Sequence, residues 1–232
     1  RYSLLPLEAM GRGLGCLCGP EPVLLLGMGL PGVGKSTVLR ELHRRVVNSS
    51  FLDKDDVNMA LLGEHAHFGD YYHKHVRVQT YVTLFTLAEA GFASLFVQQD
   101  GSGGGGSSEE AAMQPPRCHL TILDGQFGLQ LDARHVAPWI GPRARTPGVA
   151  RRVVLLYMRC SAQSQLARMQ ARGLARDADK YERFDALREE ALQSHSRQLE
   201  GRAYLELDTD EGVAHNVERI LSHLASLPGG GQ

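Results

Sequence analysis

Short apolar runs alternate with amphipathic stretches along this chain. The apolar runs predict strands that are buried on both faces, at residues 23–28, 49–52, 118–123, 153–158 and 204–207. The stretches between them carry apolar residues at helical spacing and predict helices, at residues 35–47, 71–90, 134–140, 163–172, 180–199 and 213–224. Strands that alternate with helices in this way predict a three-layer α/β fold with a five-stranded parallel sheet.

The size and composition of the chain predict one such domain. Of its 232 residues, 43% are hydrophobic and 22% are charged, which is ordinary for a globular protein with a sizeable core. We expect the domain to span residues 23–228, with an N-terminal extension at 1–22 and a tail at 229–232. Glycine and serine are concentrated in residues 98–117. Such residues cannot bury enough apolar surface to offset their ordering entropy, which predicts a flexible surface insertion.

Charge, hydropathy and cysteine usage narrow the range of partners. The formal net charge of -1 gives no electrostatic reason to expect nucleic acid or an anionic membrane. No apolar stretch reaches the roughly 18 residues that a membrane-spanning helix needs. The four cysteines lack the spacing of zinc or redox motifs, which indicates reduced thiols. We expect a cytoplasmic protein without a membrane partner, and organellar targeting by the extension stays open.

The clearest chemical signal follows the first predicted strand. A glycine-rich segment there matches the pattern G-x-x-x-x-G-K-[ST] and runs into the first helix, and it consists of Gly29, Leu30, Pro31, Gly32, Val33, Gly34, Lys35, Ser36 and Thr37. Glycines let successive backbone N–H groups turn inward around phosphate oxygens, and the helix adds its positive end. The pattern predicts that Lys35 reaches the β- and γ-phosphates of a nucleotide and that Ser36 holds Mg²⁺.

Carboxylates after the other strands indicate which chemistry this nucleotide serves. Asp124 follows a strand but precedes Gly125, where an ATP-hydrolysing machine would carry a water-activating glutamate. No guanine-reading N-K-x-D pattern is present in the sequence. The acidic segment 53–56 directly follows the second strand, at the edge of the sheet where ligands bind. One of its aspartates is expected to cap the next helix, and another to contact substrate or metal.

Together these segments resemble the small P-loop kinases, and within that group the zeta-toxin and polynucleotide-kinase-like ATP-binding proteins. The resemblance covers about residues 23–225. It implies a P-loop NTPase fold that binds ATP and Mg²⁺, with Asp55 as the general base and Asp124 helping Ser36 to orient the metal. It also implies an arginine-bearing lid, here with Arg172 and Arg176, whose spacing of four could place both on one helix face.

Two further positions qualify the resemblance. Asp208 and Thr209 stand where the family places residues near the adenine. Asn58 replaces an arginine that contacts substrate phosphate in polynucleotide kinase, and its amide cannot substitute for a guanidinium fork. A nucleic-acid 5′ end is therefore not the expected acceptor.

The resulting hypothesis is a kinase that transfers the γ-phosphate of ATP to a hydroxyl of a small-molecule or nucleotide-like acceptor. Lys35, Asp55, Arg172 and Arg176 are its predicted catalytic residues. Two alternatives stay open on the sequence. The chain could be a nucleotide-binding regulatory module with little chemistry, or an ATP hydrolase that drives a partner.

Overall fold

A single parallel sheet forms the centre of the molecule. The computed structural model describes residues 22–63, 72, 76–100, 120–127, 136–140, 152–173 and 181–227. Five strands lie in the order β2-β3-β1-β4-β5, and every neighbouring pair is parallel. They are β1 (Val23–Met28), β2 (Ser49–Asp53), β3 (Leu120–Asp124), β4 (Arg152–Arg159) and β5 (Leu205–Asp208). The predicted five-stranded parallel sheet is confirmed.

Helices connect the strands and cover both faces of the sheet. They are α1 (Lys35–Arg45), α2 (Lys54–Leu62), α3 (Arg77–Asp100), α4 (Ala137–Ile140), α5 (Ala162–Arg172), α6 (Phe184–Leu199) and α7 (Val213–Ser226), with a short 3₁₀ turn at Thr209–Glu211. Within the described residues, no helix combines the length and apolar character needed to cross a bilayer.

Alternating side chains of the central strand build two separate cores. Val23 and Leu25 of β1 pack with α1 and α7 on one face, whereas Leu24 and Leu26 pack with α3 on the other. All of β1 is buried, because both faces of a central parallel strand are covered. The fold therefore has three layers, with the sheet between helices on its two faces.

The third helix extends further than the predicted end at residue 90. Helix α3 continues to Asp100, so residues 98–100 are helical. Gln98 and Gln99 are polar, but glutamine is a good helix former, and the first helix-breaking residue is Gly101. The rest of the predicted insertion lies outside the described residues.

The strand register brings two acidic strand ends together. Asp124, the last residue of β3, stands opposite Gly27 of β1 on one side and Asp53 of β2 on the other. Because parallel strands end at the same edge of a sheet, the segments after β1, β2 and β3 meet there.

Candidate functional site

The segment Gly29–Ser36, which connects β1 to the first turn of α1, adopts a backbone that depends on glycine. Gly29, Gly32 and Gly34 have φ values of 144°, 80° and 97°, which side chains rarely allow. A Cβ on Gly29 would also lie 2.3 Å from the carbonyl oxygen of Met158 on β4. The backbone at Gly29 therefore lies close against the backbone of β4 at Met158, just before the chain enters α1.

The first turn of α1 begins at this loop. Gly34 is the N-cap residue and has no side chain to cap the helix, and no other described side chain does so. Uncapped N–H groups and the helix dipole give this end a partial positive charge. A loop of backbone N–H groups at such a helix end can bind an anion such as phosphate, sulfate or a carboxylate.

Lys35 lies over the loop from the first position of α1. Its Nζ donates hydrogen bonds to the carbonyl oxygens of Gly29 and Leu30, each at 3.0 Å. Burial lowers the pKa of Lys35, while the negative charges of Asp124 and Asp55 act in the opposite direction. The ammonium group is thus held inside the site, within electrostatic range of two carboxylates.

Asp124 is a buried carboxylate with spare bonding capacity. The residue is 3% exposed, and its Oδ2 has no hydrogen-bond partner among the described residues. Burial raises the pKa of Asp124, and the charge of Lys35 and a hydrogen bond from the side chain of Ser36 oppose this shift. A carboxylate beside a hydroxyl is a donor set that suits Mg²⁺, which keeps several water ligands and needs few from the protein. These two residues fit the predicted metal site.

The three aspartates after β2 have different environments. The side chain of Asp53 accepts a hydrogen bond from the N–H of Asp55 at 2.8 Å, so Asp53 is the predicted helix cap. Arg40 also pairs with Asp53 at 2.9 Å and with Asp56 at 3.3 Å. The side chain of Asp55 is 42% exposed, and Lys54 Nζ lies 3.3 Å from its Oδ1. Asp55 is therefore an accessible carboxylate in the electrostatic field of Lys35.

Helices α2 and α3 are linked beside Asp55 by a buried polar network. Lys54 Nζ donates to the hydroxyl of Tyr72 at 2.9 Å, and Asn58 Nδ2 donates to the same hydroxyl at 3.1 Å. Thr80 donates its hydroxyl hydrogen to Asn58 Oδ1. Asn58 is completely buried, so it joins the two helices and does not face a ligand.

The predicted lid arginines are only partly described. Arg172 is the last residue of α5, its side chain is exposed, and its charge contributes to lowering the pKa of Lys35. The structure thus brings Arg172 within electrostatic range of the loop. Arg176 lies outside the described residues.

The fold resembles those of several solved structures. No protein-family model and no curated protein matches the chain. A structure titled as a "putative kinase" from Chloroflexus aurantiacus superposes with a TM-score of 0.52 at 17% identity, covering 92% of this chain and 99% of that one. A tunicamycin resistance protein from Deinococcus radiodurans gives a TM-score of 0.48 at 15% identity, over 88% of this chain and 95% of that one. A shikimate kinase from Aquifex aeolicus gives 0.46 at 15% identity, over 90% and 99%.

At such low identity the likeness to the Chloroflexus aurantiacus protein shows the fold alone. The chain has a P-loop NTPase fold. The segment Gly29–Ser36, which carries the P-loop sequence pattern and is called the P-loop below, connects β1 to the first turn of α1.

Three residues that touch the P-loop were not predicted as contacts from the sequence. Gln165 Nε2 donates to the carbonyl oxygen of Pro31 at 2.8 Å, and Arg168 Nη1 donates to that of Val33 at 3.0 Å. The hydroxyl of Thr209 also donates to Val33, so Thr209 packs against the outer side of the P-loop. Gln165 lies seven positions before Arg172 and Arg168 lies four positions before it, so all three can share one helix face. This spacing is the one signal in the sequence that could have pointed to Gln165 and Arg168.

Proposed function

We propose that this protein is a Mg²⁺- and ATP-dependent kinase that transfers the γ-phosphate of ATP to a hydroxyl of a small-molecule or nucleotide-like acceptor. The observation that carries the proposal is that Lys35, Asp124 and Asp55 lie at or just after the ends of β1, β3 and β2, which meet at one edge of the sheet. The charges of both aspartates act on Lys35 there. Phosphoryl transfer needs little more than positioned phosphates, a metal and a proton acceptor.

The P-loop would hold the phosphates of ATP. Backbone N–H groups between Gly29 and Thr37, among which Pro31 supplies none, would bind phosphate oxygens. Lys35 would exchange its bonds to the loop carbonyls for contacts with the β- and γ-phosphates. Ser36 and Asp124 would hold Mg²⁺, and the unpartnered Oδ2 of Asp124 supports this assignment. The chemistry that Mg²⁺ supplies in such sites is neutralisation of phosphate charge.

Asp55 would take the proton from the acceptor hydroxyl. A general base must be accessible and within reach of the proton it removes. Asp55 is accessible, whereas Asp124 is buried and Asp53 is engaged as a helix cap. Arg172 and Arg176 would stabilise the charge of the transferring group.

The acceptor would bind on the side of Asp55 that faces Tyr72. Asn58 is buried in the network behind Tyr72, which supports the expectation that a nucleic-acid 5′-phosphate is not held there. The Chloroflexus aurantiacus protein, which shares the fold, bears the name of a kinase, and this too favours phosphoryl transfer over hydrolysis.

The test compares two neighbouring aspartates. Purified wild type, Asp55→Asn and Asp56→Asn are assayed with γ-labelled ATP against a panel of nucleosides, monosaccharides and hydroxy acids. Loss of general-base catalysis should slow transfer by Asp55→Asn about 10²- to 10⁴-fold while ATP binding is retained. Asp56→Asn is the control, because its side chain is 70% exposed and its ion pair with Arg40 contributes little.

Two results would contradict the proposal. Full transfer by Asp55→Asn to the acceptor that wild type uses would remove Asp55 as the base. Tight ATP binding by wild type, with no transfer to any acceptor and no hydrolysis, would favour the regulatory module instead.

A further inference from the structure

Two carbonyl groups of the P-loop are bonded from outside the loop by side chains of α5. Gln165 Nε2 donates a hydrogen bond to the carbonyl oxygen of Pro31 at 2.8 Å, and Arg168 Nη1 donates one to the carbonyl oxygen of Val33 at 3.0 Å. Both acceptors directly precede a glycine with positive φ, Gly32 and Gly34 respectively. The two contacts therefore act on the peptide groups that contain the glycine N–H groups.

The geometry of the peptide group determines where the N–H groups of Gly32 and Gly34 point once the preceding carbonyl groups are held. The described backbone contains no cis peptide bond, so both peptide groups are trans. In a planar trans peptide the C=O of one residue and the N–H of the next point in opposite directions. Because the carbonyls of Pro31 and Val33 point toward α5, the N–H groups of Gly32 and Gly34 point away from it.

Gln165 is itself fixed by a second helix. Its Oε1 accepts a hydrogen bond from Arg188 Nε of α6 at 3.1 Å, and Arg188 Nη2 donates to the carbonyl oxygen of Cys160 at 3.1 Å. An arginine can only donate and a carbonyl can only accept, so the two partners determine which end of the Gln165 amide faces the loop. Gln165 is 3% exposed, and water does not compete for these bonds.

We infer that Gln165 is a positioning residue, which sets the N–H groups of the P-loop toward the polyphosphate of the bound nucleotide, with Arg168 as the second anchor. The inference rests on the proposed phosphate site but not on phosphoryl transfer. Without the bond from Gln165, the peptide between Pro31 and Gly32 is free to rotate, since glycine tolerates either orientation. Anion binding then bears the cost of ordering it.

The test replaces the donor while keeping the partner in α6. In Gln165→Glu, one carboxylate oxygen can still accept from Arg188, but the other faces the carbonyl oxygen of Pro31 and cannot donate. We expect the Kd values for ATP and for inorganic tripolyphosphate to rise by a similar factor, about tenfold. The amide resonances of Gly32 and Gly34, observed with ¹⁵N-glycine labelling, should shift in the free variant and respond less to tripolyphosphate.

Gln163→Glu is the matched control, because Gln163 is exposed on the same helix and the charge change is identical. It should bind both ligands within about twofold of wild type. Gln165→Met, which keeps the side-chain length, serves if Gln165→Glu does not fold, and should weaken both ligands about fivefold. A folded variant at position 165 that lowers the melting temperature but binds tripolyphosphate like wild type, with unchanged glycine resonances, would overturn the inference.

The two proposals can fail separately. If wild type binds tripolyphosphate and phosphorylates no acceptor, the kinase proposal fails while the role of Gln165 stands. If wild type transfers phosphate and Gln165→Glu binds and responds as wild type does, the role of Gln165 fails and the kinase proposal stands.

Discussion

His195 provides a measurable pH dependence of folding. It lies in the second half of α6, is 2% exposed, and its ring meets the ring of Tyr157 edge-on with centroids 5.7 Å apart. Its Nδ1 is buried, and the part of the chain that the structure describes offers it no hydrogen-bond partner. Burial lowers the pKa of His195 from 6.5 to about 4, with a smaller contribution from the charge of Lys35.

The sign and size of the effect follow from proton uptake. Below pH 6.5 the unfolded chain binds a proton at this histidine, but the folded protein does not until about pH 4. Acid therefore favours the unfolded chain, and stability is lost as the pH falls from 6.5 toward 4. With about 1.4 kcal/mol per pKa unit, the loss between pH 7 and pH 5 amounts to about 2 kcal/mol.

His195→Phe should remove this loss while keeping the ring contact with Tyr157. Urea unfolding at pH 7 and at pH 5 gives the free energy of unfolding of each protein, and the wild-type decrease should exceed that of His195→Phe by about 2 kcal/mol. His215→Gln changes an exposed histidine and should retain most of the wild-type decrease. If His195→Phe loses as much stability as wild type, the imidazole is not held neutral by burial and the reasoning is wrong.

Two further predictions concern the ends of β1 and β3. Asp124→Asn should weaken ATP binding in the presence of Mg²⁺ at least tenfold, as measured by calorimetry. ATP without metal should bind as well as to wild type or better, because a buried negative charge near the phosphates is removed. Equal losses of affinity with and without Mg²⁺ would refute the metal assignment. Gly29→Ala should lower the free energy of unfolding, measured with denaturant, by about 3 kcal/mol. The new Cβ would sit on a residue with positive φ and lie 2.3 Å from the carbonyl oxygen of Met158. Gly201→Ala, which has φ of 70° and open space around it, should cost only about 1 kcal/mol, and equal costs would show that the overlap is unimportant.

Local sequence pattern was sufficient for the sheet and for the P-loop. β1 is a continuous apolar run because both of its faces are buried, and its predicted bounds match the observed Val23–Met28. The P-loop is a contiguous motif whose glycines carry their conformational requirement in the sequence. The predicted end of α3 at residue 90 was wrong, since the helix continues to Asp100 and the glutamines at 98 and 99 do not oppose helix formation.

Contacts between distant segments could not be predicted in the same way. Gln165 and Pro31 are 134 positions apart, and their bond depends on how α5 packs beside the loop. Asn58 was identified as a departure from the kinase pattern, but its complete burial depends on Tyr72 and Thr80 from the next segment. A single sequence indicates which residue types are present at the site, but not which of them face a ligand.

The bonds from α5 to the P-loop also bear on the predicted lid. Arg172 is the last residue of α5, only one turn beyond Arg168, and the helix closes at Gly173 with a left-handed C-cap. A closing movement that carried Arg172 with the helix would have to break the bonds of Gln165 and Arg168 to the loop. Arg172 is therefore expected to act as a charge that stays fixed relative to Lys35. Replacing Arg172 should accordingly change the affinity for the phosphates of ATP even when no acceptor is bound.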